Sequence, residues 1–400
     1  MTKIISEPAG SRLDTRAAVI AVAGLFAING MLLGGYGGSL PALRSRLELD
    51  AAGIAIMLFV AGGAAIITMQ LGGRLADRFS ARPVALFALP IIIVGCLLVG
   101  FAPVYGLAVA GAIVIGFGNG AMDVAMNALG VQVERARRQP IMSRFHAFFS
   151  IGNFVGAGLI LAISGVFGLG GGTVVLPLMI TMAVIAVVSV PILVRLTPRA
   201  MPVHHTVDGV RNKIPAIAWL LGLMAIGYGL AEGTAVDWAS IHVTDVARVD
   251  PAVGAIGLIA VSAFMTLIRL LGDRLVLRFG RRAVVRFGGV CAAAGYLIVI
   301  IATPLPLLVI GWSLVGFGVG MIAPQVYAVA GHLGGGRVLA LVVTFGYATF
   351  LMGPAITGFL VAHLGIQHAM VLPGALCLII IGLAAVLPKT DEGIHPRQES

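Results

Sequence analysis

The chain has 400 residues, of which 59% are apolar and only 10% charged, and its mean hydropathy is +1.06. A soluble domain carries about 25% charged residues, so this chain has too few to cover a water-facing surface, and lipid must solvate much of it. The net charge of +10 does not indicate nucleic acid, because the arginines sit in short loops between apolar runs and form no basic stripe interleaved with aromatics.

Crossing the hydrocarbon core takes about 20 apolar residues. Twelve runs meet that requirement: 17–40, 53–73, 83–102, 105–130, 143–167, 173–195, 215–237, 253–272, 284–302, 306–331, 339–363 and 369–387. The first lacks a small-residue cleavage site and reads as a retained helix rather than a secretory signal. All are too long and too uniformly apolar for barrel strands, so an all-α membrane protein of twelve helices is expected. Cys96, Cys291 and Cys377 each fall inside a run, without metal-ligand spacing, and read as small buried hydrophobes. No metal and no other cofactor is expected. With the N-terminus placed in the cytoplasm, 23 of the 26 Lys and Arg fall on the inner side and only Arg44, Arg46 and Arg248 on the outer side. By the positive-inside rule both termini are then cytoplasmic.

The chain also repeats itself at an offset of 200 residues. Leu71-Gly72-Gly73-Arg74-Leu75-Ala76-Asp77-Arg78-Phe79 lies over Leu271-Gly272-Asp273-Arg274-Leu275-Val276-Leu277-Arg278-Phe279, and Gly116-Phe117-Gly118 lies over Gly316-Phe317-Gly318. Two distant blocks keeping one offset define two halves: 1–196 and 215–388, with a linker at 197–214 and a tail at 389–400. Six helices, a polar linker and six more form the plan of transporters that bind solute between two repeats near midplane.

The loop Gly73-Arg74-Leu75-Ala76-Asp77-Arg78-Phe79-Ser80-Ala81-Arg82 resembles the loop signature of the major facilitator superfamily. The second copy keeps Gly280, Arg281 and Arg282 but carries Leu277 in place of the acid. Asn119-Gly120-Ala121-Met122-Asp123-Val124-Ala125-Met126-Asn127 and Ala231-Glu232-Gly233-Thr234-Ala235-Val236-Asp237-Trp238 are similar to a bacterial branch of rhizopine-permease-like, or MosC-like, proteins. The resemblance implies a secondary transporter of the bacterial inner membrane, monomeric and embedded in the lipid bilayer. It would work by alternating access, with helices 1, 4, 7 and 10 lining the cavity. It also implies a conformational latch, carried here to Asp77, Arg78, Arg82, Arg278 and Arg282.

An ionisable group at bilayer centre costs roughly 2.5–3.5 kcal/mol on insertion scales, so each one calls for a function. Asn119, Asp123 and Asn127 share one helix face at i, i+4 and i+8, a polar stripe suited to a wet cavity. Glu232 lies in the seventh run, and a carboxyl there suits proton uptake and release. Asp237 sits nearer the outer mouth. His146 titrates near neutrality. Arg144 and Arg269 are expected to snorkel to the interface. Neutral candidates for solute contact are Asn29, Tyr36, Tyr228, Gln325 and Tyr327, with Asn153 and Tyr347 beside them; amides and phenols hydrogen-bond directionally and aromatic faces stack on sugar rings.

No phosphate-cradling loop, H-E-x-x-H or Ser/His/Asp set occurs, so neither ATP-driven transport nor an enzyme is expected. The drug-antiporter pattern G-P-x-x-G-G has Asn153 in place of its proline, which weakens an efflux reading. The sequence therefore favours proton-coupled movement of a sugar- or polyol-like solute, with drug efflux and a non-transporting solute sensor as alternatives.

Overall fold

The computed structural model describes residues 13–137, 141–198 and 214–388. Most of the expected linker, and the tail, lie outside these residues. The helices that matter for the site are α1 (Arg16–Gly38), α2 (Ala51–Phe79), α3 (Ala81–Phe101), α4 (Tyr105–Arg137), α5 (Met142–Phe167), α6 (Val175–Leu196), α7 (Ala216–Ala247), α8 (Ile256–Phe279), α9 (Arg281–Ile301), α10 (Leu305–Val319), α11 (Ile322–Leu364) and α12 (Val371–Leu383). Among the described residues there is no β-strand. Among the described residues, eleven stretches are long and apolar enough to cross a bilayer, and Met352–Leu364 forms a shorter apolar helix. In lipid every backbone polar group must be paired within its own segment, which helices achieve.

Polar side chains fix where several helices begin. Thr15 Oγ1 accepts from Ala18 N at 3.1 Å at the start of α1, and Asp50 Oδ1 accepts from Gly53 N at 2.7 Å at the start of α2. Glu134 Oε2 accepts from Ile141 N and Met142 N at 2.7 and 2.9 Å, tying the end of α4 to the start of α5. Helices α2 and α4 run past the apolar edges at 73 and 130, ending at Phe79 and Arg137. Hydropathy marks the lipid boundary, whereas a helix continues into water until its backbone is capped.

The expected tenth and eleventh runs are organised differently from the sequence reading. The tenth is interrupted between Val319 and Ile322, and helical structure then continues from Ile322 to Leu364. This element is not straight. A Cβ on Gly346 would lie 2.7 Å from Tyr327 Oη, yet a straight helix would hold residues 327 and 346 about 28 Å apart. The chain therefore doubles back between Tyr327 and Gly346 into two arms.

The 200-residue repeat holds in three dimensions. A Cβ on Gly116 would collide with the carbonyl oxygen of Ala61, and one on Gly316 with that of Val261. A Cβ on Gly95 would lie 2.9 Å from Gly111 O, and one on Gly295 2.5 Å from Gly311 O. Small residues thus set the same close helix approaches in both halves. At the α2–α3 and α8–α9 corners, Ser80 has φ 84 and ψ 159, and Gly280 has φ 77 and ψ 157.

The halves meet where α5 packs on α8 and α2 on α11. The Arg-poor end is sealed. Arg44 donates from Nη1 to Asp245 Oδ2 at 2.8 Å and from Nη2 to Asp245 Oδ1. Gly171 N donates to Asp250 Oδ2 at 3.0 Å. Gly38 packs against Ala255, and Gly358 against Ala55. Both of the hydrogen-bonded ties cross between the halves.

Candidate functional site

At mid-depth the two halves present unlike walls. On the N-terminal wall, Asn29 is fully buried on α1 and donates from Nδ2 to Asn119 Oδ1 on α4 at 3.0 Å. One and two turns further along α4 come Asp123 and Asn127, both half-buried. Asn127 Nδ2 donates to the carbonyl oxygen of Asp123 at 2.8 Å and to its Oδ1 at 3.2 Å. The i, i+4, i+8 stripe is thus a continuous polar face. On α5, the His146 ring stands edge-on to Phe26 at 5.3 Å, and Ser150 lies one turn beyond it, buried.

On the C-terminal wall, Tyr228 of α7 and Tyr327 of the first arm of α11 join through their hydroxyls at 2.9 Å, with rings edge-to-face at 6.0 Å. Glu232 stands one turn beyond Tyr228 on α7, so an acid and the tyrosine pair lie together on this wall.

Arg269 joins them, and its position corrects the sequence reading. It does not snorkel. Its side chain is only 9% exposed; Nη2 donates to Glu232 Oε1 at 2.9 Å and Nη1 to Ser150 Oγ on the opposite half at 2.8 Å. Its Nε reaches Gly320 O at a long 3.5 Å. Ser150 Oγ in turn donates to His146 O at 3.2 Å. Removing Arg269 from the loop count leaves 22 basic residues on the Arg-rich side, and the charge asymmetry survives. Leu270 and Leu271 follow Arg269 before the run ends, which fits either direction for its side chain. Arg144, by contrast, is exposed.

The remaining candidates fall elsewhere. Tyr36 is buried toward the sealed end, its hydroxyl unpartnered. Asn153 is buried where α5 crosses α1 against Gly34. Gln325 is buried and accepts from Arg281 Nη1 at 2.7 Å. The side chain of Tyr347 lies outside the described residues. At the Arg-rich end Asp77 is exposed, and Arg78 and Arg278 each lie over the next residue's ring, Phe79 at 5.1 Å and Phe279 at 5.3 Å. Arg82 donates to Val194 O and Arg282 to Leu387 O, each within its own half.

The Major Facilitator Superfamily model matches residues 22–233 and 221–400, together nearly the whole sequence. The chain belongs to the Major Facilitator Superfamily. As a superfamily member it is a membrane transporter, and its relatives agree. It is 31% identical to the uncharacterized transporter y4wD of Sinorhizobium fredii, over 92% of this chain and 95% of that protein. It is 29% identical to an uncharacterized MFS-type transporter of Yersinia pestis, over 90% and 92%. Membrane protein MosC of Rhizobium meliloti is 24% identical over 91% and 89%, in line with the MosC-like resemblance. Among solved structures, a variant of the nucleoside transporter NupG superposes with a TM-score of 0.73 at 13% identity, covering 92% of this chain and 99% of that one. That likeness establishes the shared facilitator fold.

Proposed function

We propose that this facilitator is a proton-coupled secondary transporter of a small polar, sugar- or polyol-like solute. It works by alternating access as a monomer in a bacterial inner membrane, with its termini and Arg-rich loops in the cytoplasm. What supports the reading is that Asp123 and Glu232 each fall midway along a helix, α4 and α7, of a different half, beside amides and phenols. Lipid rejects ionised carboxylates, so two of them held at this depth suit a path for protons and a polar solute. The sealed Arg-poor end supports reading the molecule as open toward the cytoplasm. In that reading Asp77, Arg78, Arg82, Arg278 and Arg282 engage the opposite half only when the Arg-rich end shuts.

The test is solute-driven proton movement in proteoliposomes loaded with a pH dye. A panel of polyols and sugars is screened, with nucleosides included because they are sugars bearing a base that can stack on Tyr228 and Tyr327. Asp123→Asn and Glu232→Gln are each expected to reduce pH-gradient-driven uptake to the level of empty vesicles. Uptake that keeps its full pH-gradient dependence in both variants refutes the coupling role.

A further inference from the structure

The guanidinium of Arg269 is used in an unusual way. An arginine fork matches a carboxylate best when two N–H groups meet both of its oxygens. Here the two Nη atoms meet different partners, Ser150 Oγ at 2.8 Å and a single oxygen of Glu232 at 2.9 Å. Keeping a buried ion pair is no aid to stability in itself, since apolar residues of similar volume often serve as well. The pair also lies where the two halves meet, with Glu232 one turn from Tyr228 and its partner Tyr327, among polar groups that suit a solute.

From this geometry we infer that Arg269 is the anchor for a carboxylate on the transported solute, and that Glu232 occupies the anchor when solute is absent. The inference rests on the proton-coupled reading above and names the class of solute: a small polyol or sugar acid. The exchange balances. In the resting site Arg269 is positive and Glu232 negative. An incoming carboxylate takes the fork bidentately, Glu232 leaves it and takes one proton from water, and the net charge is unchanged. Each turnover then carries one carboxylate with one proton, so no uncompensated charge is left at low dielectric. The solute also replaces the Ser150 hydroxyl, the mid-depth tie between the halves, so binding and release of the halves are one event. The titratable groups on the elements packed around the pair are His146 on α5, Asp123 on α4, Tyr228 on α7, Tyr296 on α9 and Tyr327 on α11; none carries a second guanidinium.

The experiment is ligand binding to the purified full-length protein by calorimetry and thermal shift. The probes are gluconate and glucuronate, their neutral partners sorbitol and glucose, glucosamine, and glucose 6-phosphate. Wild type is expected to bind at least one carboxylate probe tenfold more tightly than its neutral partner. Glu232→Gln, which removes the internal competitor, should tighten that carboxylate by a further tenfold. Arg269→Gln should abolish the preference, and Arg269→Lys should retain a weakened one. Because Arg269→Gln leaves Glu232 unpaired, the double variant Glu232→Gln with Arg269→Gln serves as the folded control and should bind no carboxylate. Binding confined to neutral, amine or phosphate probes, or carboxylate preference surviving in the double variant, overturns the inference; so does a panel in which no carboxylate binds. If Glu232→Gln tightens the acids while vesicles show no proton coupling, the coupling reading fails and the carboxylate site stands.

Discussion

Gly116 and Gly316 let α4 and α10 close on the same neighbours, Ala61 and Val261, and Ser80 and Gly280 turn the same corner. At the same 200-residue offset, however, Asn119, Asp123 and Asn127 face Val319, Ala323 and Tyr327, while Leu32 and Met69 face Glu232 and Arg269. What repeats is what holds helices together. What differs is what touches the space between the halves. The N-terminal wall carries an amide-flanked acid, and the C-terminal wall an acid neutralised by a cation that reaches across. A solute between them meets hydrogen-bonding groups on one side and an exchangeable ion pair on the other.

The largest effect should come from breaking the C-terminal wall. Arg269→Gln strands Glu232, whose side chain is 23% exposed; breaking a fully buried pair from one side costs about 3–5 kcal/mol, and this partly solvated pair should cost less than that. The purified variant should melt several degrees below wild type, and adding Glu232→Gln should restore most of the loss. A single variant as stable as wild type would show that the pair is solvated and the contrast between the walls overstated.

The scaffold should respond alike in both halves. Gly116→Ala and Gly316→Ala each push a methyl into a neighbouring carbonyl, and overpacking of this kind costs about 1–3 kcal/mol. Similar losses of melting temperature are expected for the two. A loss in only one half would mean that the repeat in backbone is no longer a repeat in packing.

Most of this framework was legible in the sequence because it depends on properties that composition carries. Spans follow from hydropathy, the repeat from a constant offset, and the polar face of α4 from the i, i+4 spacing of Asn119, Asp123 and Asn127. Arg269 was not legible, because a charge three residues from the end of a run reads equally as snorkelling outward or turning inward. Only the position of Glu232 and Ser150 on other helices decides it. The reversal between the tenth and eleventh runs was legible as the break between 331 and 339; what hydropathy did not show is that helical structure continues across that break.

Ser80 offers a sharper comparison of the two corners. Its φ of 84 with ψ of 159 belongs to a region that glycine enters freely and other residues enter at a cost of about 1–3 kcal/mol. Gly280 meets the same demand without a Cβ. Ser80→Gly should therefore raise the melting temperature and Gly280→Ser lower it, both read by thermal denaturation in detergent. Equal and opposite shifts would show that the corners are mechanically equivalent despite their different loop sequences.

The smallest effect concerns the two ends of the molecule. Arg44 and Asp245 tie the halves at the sealed end with side chains 22% and 31% exposed, and an ion pair of that exposure contributes about 0.2–1 kcal/mol. If the tie biases the molecule toward the state with this end shut, Arg44→Ala should move the balance toward opening by at most about fivefold, since 1.4 kcal/mol is tenfold. Ala255, fully buried against Gly38, is the place to read it. In a background without Cys96, Cys291 and Cys377, a cysteine at 255 should label with an impermeant maleimide two- to fivefold faster when Arg44 is lost, and salt should produce part of the same acceleration in the parent because it screens the pair. Labelling unchanged by either would place the seal in the apolar contacts of Gly38 and Gly358 alone. The ion pair would then be a consequence of closure at that end and not one of its causes.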